Sequence, residues 1–89
     1  LALSDEAWYL SHYRDKDQVE GDVVLENRQR QLIGIDVNAA ATVQVQDFKG
    51  LRKLQTQTGA DFLTGIVLYD GAHALPFGPG MWAVPLAAL

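Results

Sequence analysis

Residues 19–40 read VEGDVVLENRQRQLIGIDVNAA. Two alternating runs flank a short polar stretch. In 19–26, Val19, Gly21, Val23 and Leu25 fall on one side, and Glu20, Asp22, Val24 and Glu26 fall on the other. That period of two is the signature of a strand. In 32–38, Ile33, Ile35 and Val37 share one side, while Gly34, Asp36 and Asn38 share the other. The stretch NRQRQ (27–31) is a turn, and two strands joined by a short turn pair antiparallel. Set side by side, they bring Glu20, Asp22, Asp36 and Asn38 to one face of a sheet. Acids planted where valine would pack more cheaply mark that face as a candidate site.

Reading outward, VQVQDFKGLRKLQTQTG (43–59) places Val45, Phe48, Leu51 and Leu54 at three-residue spacing. This predicts a helix near 44–57 with one apolar face. Thr42 is expected to cap it, and Gly59 to stop it. FLTGIVLYDG (62–71) is a nearly continuous apolar run, as expected of a strand buried on both faces. Residues 73–89 predict a short strand, a Gly-Pro-Gly turn, a second short strand ended or put at an edge by Pro85, and a final apolar turn. Ahead of the quoted stretch, Ser4, Asp5 and Glu6 can open a short helix, and aromatic-rich 7–14 reads as strand. The order β-β-β-α-β-β makes an α/β (α+β) fold with a mixed sheet. Strand 32–38, the helix and strand 62–69 form a βαβ unit, expected to be parallel with a right-handed crossover.

The bulk properties fit one domain over residues 1–89. An apolar content of 48% and a charged content of 20% are ordinary for a globular chain. No run of about 18 apolar residues could span a membrane, and no basic start followed by an apolar stretch reads as a signal peptide. Zero cysteines exclude disulfides and thiolate metal sites and agree with a cytoplasmic location. A net charge of −4 does not support general nucleic-acid coating. The chain opens in mid-pattern with LALSDEAWYL, which points to a piece of a longer protein. The apolar character of that segment and of WAVPLAAL (82–89) predicts self-association, most simply as a homodimer.

Carboxylates from two neighbouring strands make an oxygen site for a hard cation such as Mg²⁺. Such a cation can activate water for phosphodiester attack, with a lysine to stabilise the charge that develops. Asp22 and Asp36 are the expected metal ligands. The other reading open to them is that of solvated acids on an open sheet face, or of acids paired with Arg14 or Lys16.

The spacing Asp22, thirteen residues, Asp36-x-Asn38 resembles the motif of the PD-(D/E)xK nuclease superfamily. More closely, the chain is similar to the C-terminal domain of unknown function found behind the P-loop core of many bacterial and archaeal AAA-type ATPases. The resemblance is carried by YRDKDQVEGDVVLE (13–26), IGIDVNAAATV (33–43), DFKGLRKL (47–54), GIVLYDG (65–71) and LPFGPGMWAVPLAAL (75–89), together most of the chain. It implies a restriction-endonuclease-like fold, an upstream ATPase domain as partner, and ATP only through that domain. The family usually has Glu-apolar-Asp in the first strand and Glu-apolar-Lys in the second. Here Glu20 and Asp22 match with Gly21 between them, Asp36 stands for the Glu, and Asn38 stands for the Lys.

The resemblance therefore implies a degenerate site of Glu20, Asp22, Asp36 and Asn38 in a non-catalytic accessory domain, with no cofactor beyond a residual Mg²⁺. The alternatives are an active Mg²⁺-dependent DNA nuclease and a structural or dimerisation module.

Other features weigh less. Lys49, Arg52 and Lys53 form a helical stripe, read either as a phosphate patch, one member of which could replace the missing lysine, or as the wet side of an amphipathic helix. His12 and His73 have no ligand spacing. Trp8 and Trp82 read as core or rim packing, and GPG (78–80) lacks the residues of a phosphate loop.

Overall fold

The computed structural model describes residues 8–11 and 23–88. Leu32–Asn38 forms β3 and Phe62–Tyr69 forms β4. The two pair in parallel, from Leu32 against Phe62, through a register shift before Ile33, to Asn38 against Tyr69. The connection between them holds a 3-10 turn at Val45–Phe48, helix α1 at Lys49–Thr58, and a second 3-10 turn at Gly59–Asp61. Gly59 ends α1 with a φ of 60°, donating its N–H to the carbonyl of Gln55. Glycine takes that left-handed backbone without a Cβ penalty. The βαβ unit expected from the apolar runs is thus present, with its strands parallel.

Upstream, β1 (Tyr9–Ser11) pairs antiparallel with β2 (Val23–Glu26), and β2 pairs antiparallel with β3. Downstream, β5 (Leu75–Pro76) and β6 (Met81–Pro85) flank the Gly-Pro-Gly turn. Among the described residues six strands lie in the order β1-β2-β3-β4-β6-β5, so β6 inserts between β4 and β5 and runs parallel to β4. Pro85 ends β6, and that strand is internal. The fold is a mixed α+β sheet with α1 as the α-helix among the described residues. No helix among the described residues is long and apolar enough to cross a membrane.

The core sits between α1 and one sheet face. Phe48, Leu51 and Leu54 pack on Val24, Leu32, Phe62, Val67, Tyr69, Met81 and Ala83. Gly34 and Gly65 let the layers close in. A Cβ on Gly34 would lie 2.6 Å from Leu51 Cδ2, and one on Gly65 would lie 2.6 Å from Met81 Sδ. The opposite sheet face carries Leu25, Ile33, Ile35, Ile66, Leu68 and Val84, with Trp8 packed beside them. Val23, Val37 and Trp82 are exposed, and their alternation with helix-side neighbours places them on this same face.

Some expectations shift. The strand expected at 7–14 is described at 9–11, and that expected at 19–26 is described at 23–26. Residues 1–7, 12–22 and 89, among them the segment expected to open with a helix at Ser4, lie outside the described residues. Val45 does not join the apolar helix face: it is 65% exposed. It begins a 3-10 turn rather than an α-turn, and 3.0 residues per turn set it at a different azimuth from an α-helical residue. Thr42 does not cap. Asp47 caps instead, its Oδ2 accepting the Gln44 N–H at 2.8 Å, while its own N–H donates to the Gln44 carbonyl at 2.9 Å as the first bond of the 3-10 turn.

Candidate functional site

At the carboxyl end of β3 lies an open cleft of about 400 Å³. Asp36, Asn38, Gln46, Asp47 and Lys49 line it together with the backbone around Ala39 and Gly50. Its position follows from the topology. A strand followed by a crossover to a parallel neighbour leaves a crevice outside its carboxyl end, where open α/β sheets place their ligands. Gly34 faces α1, so Asp36 and Asn38, two and four residues on, face the same way. Both are half-buried.

Asn38 is tied down on three sides. Its Nδ2 donates to Asp47 Oδ2 at 3.1 Å and reaches the Thr42 carbonyl at 3.4 Å. Its Oδ1 accepts the Ala40 N–H at 3.0 Å. The last contact is a local Asx turn, which reverses the chain as it leaves β3. Asp47 Oδ2 receives Gln44 N–H as well. One carboxylate oxygen therefore caps the helical segment and holds the strand end at once.

The basic stripe divides. Lys49, the first residue of α1, is exposed on the cleft wall. Arg52 turns away and donates from Nη2 to the Phe77 carbonyl at 2.7 Å. Gln55 Nε2 donates to the Pro79 carbonyl at 3.1 Å, so α1 also grips the loop between β5 and β6. Phe77 stacks on Phe48 with ring centroids 4.9 Å apart. Arg52 is a structural anchor here, and the stripe is not one phosphate patch. Lys53 is half-buried.

Of the candidates Glu20, Asp22, Asp36 and Asn38, the structure brings Asp36 and Asn38 to one wall. Glu20 and Asp22 lie outside the described residues, as do Arg14, Lys16 and His12. Asp47 and Gln46 complete the wall and were not among the sequence candidates. The signal that could have found Asp47 is the Gln44-x-x-Asp47 spacing of a capping box. Among the described residues no three His, Asp or Glu side chains come together as a metal-holding group. Asp36 and Asp47 are the carboxylates that reach the cleft, and Asp47 is engaged as a cap; a Mg²⁺ ion is commonly held by one or two carboxylates, with water completing its shell. His73 is exposed, and its carbonyl accepts the hydroxyl of Tyr69.

A family model described as a domain of unknown function, DUF4143, matches residues 1–89. The chain belongs to the DUF4143 family. No curated protein and no solved structure matches it. In this DUF4143 chain, then, the chemistry is read from the cleft itself. It offers one ammonium, two carboxylates and two carboxamides around an open space, with the carboxamide of Asn38 spent on the loop.

Proposed function

We propose that this DUF4143 domain is a restriction-endonuclease-like accessory domain of a bacterial P-loop ATPase, working in the cytoplasm, that does not cut nucleic acid. The observation that carries the reading is the engagement of Asn38. A nuclease of the resembled kind needs a cation at that position to stabilise the charge on phosphorus. Asn38 has no charge to give, and its amide is bonded to Asp47, Thr42 and Ala40. The parallel β3–β4 pair and the cleft at the end of β3 support the architectural half of the proposal. A weak Mg²⁺ or Mn²⁺ site at Asp36 together with Asp22 belongs to the same proposal.

The test is a cleavage assay on single- and double-stranded DNA with Mg²⁺ or Mn²⁺. The natural chain is expected to show no cutting above a blank. Asn38→Lys is expected to raise metal-dependent cutting, since one charge-stabilising group is commonly worth about 10²–10³ in rate. Cutting by the natural chain that Asp36→Ala abolishes overturns the reading. The ATPase half is checked separately in the full reading frame. A G-x-x-x-x-G-K-[ST] phosphate loop is expected upstream, and its absence counts against that half alone.

A further inference from the structure

We draw no further inference here: the strongest candidate, the uncharged outer face of the sheet running from Val23 through Val37 to Trp82, is apolar and partly exposed, and nothing in the structure shows what covers it.

Discussion

Asn38 Nδ2 and Asp47 Oδ2 lie 3.1 Å apart and join the carboxyl end of β3 to the start of the helical segment. Because Asp47 also caps Gln44, the contact couples two local structures that are otherwise separate. Removing either partner takes one bond from the other, which keeps its remaining contact: Asp47 with Gln44, and Asn38 with Thr42. Asp47→Ala is expected to cost about 1–2 kcal/mol, the range for a lost cap, and Asn38→Ala about 1 kcal/mol. The double variant should lose less than the two single losses combined, by about 0.5 kcal/mol or more. Urea unfolding of the four chains measures this. Strict additivity would show that the bond contributes nothing.

The close approach at Gly34 sets the spacing of α1 over the sheet. Leu51 is only 2% exposed and cannot swing clear of a new methyl group 2.6 Å from its Cδ2. Gly34→Ala is therefore expected to destabilise by about 1–3 kcal/mol, the usual cost of overpacking. Leu51→Ala alone should cost about 2–5 kcal/mol through the cavity it leaves. Together, the new methyl enters the space the leucine vacates, so Gly34→Ala should cost less in the Leu51→Ala background. Thermal melts of the same four-chain set decide it.

Lys49 and Arg52 stand on one helix and should respond differently. Arg52→Ala removes a charged donor from the Phe77 carbonyl, which is expected to cost about 1.5–3 kcal/mol. It should also speed amide exchange at residues 77–81. Lys49→Ala touches no such bond and should stay within about 0.5 kcal/mol of the natural chain. Equal losses at the two positions would mean that both are structural.

The described β2–β3 ladder runs from Val23 against Ile35 to Glu26 against Leu32. A strand that runs on to Asp22, as the period of two in 19–26 predicts, would set position 22 against 36 in the same register. Directly opposed residues in an antiparallel pair have Cα atoms about 4.5–5.5 Å apart, within disulfide reach. The chain has no cysteine, so Asp22→Cys with Asp36→Cys is expected to cross-link under mild oxidation. Asp22→Cys with Val37→Cys, off by one and on the other face, should not. Cross-linking of the second pair in preference to the first would remove the basis for placing the acids together.

These contacts mark where the sequence was legible. β3 was plain from its period of two, β4 from a nearly continuous apolar run that buries on both faces, and α1 because Phe48, Leu51 and Leu54 recur at helical spacing. The helix start was not. Val45 fits the three-residue spacing, yet a 3-10 turn carries it into solvent, and the change of helix type leaves no mark in hydrophobicity. Asp36 and Asn38 were legible as site candidates, since polar residues on the helix-facing side of a strand stand out. Asp47 was not, because its role depends on how the loop at 39–44 folds back on Asn38. The position of β6 between β4 and β5 was hidden as well. Pairing order is set by long-range packing, and Pro85 is tolerated in an internal strand because it sits at the strand's last residue.

That insertion has a bearing on how the domain is made. During synthesis β4 emerges well before β6 does. Until residues 81–85 follow it, one flank of β4 has no hydrogen-bonding neighbour, and β5 has no strand to attach to. The nascent chain also lacks Met81 and Ala83, two side chains with 0% exposure in the finished core. A bare strand edge beside an unfilled apolar layer is the kind of intermediate that recruits other chains. The stage just before Met81 joins the sheet is therefore one at which this small sheet is open to misassembly.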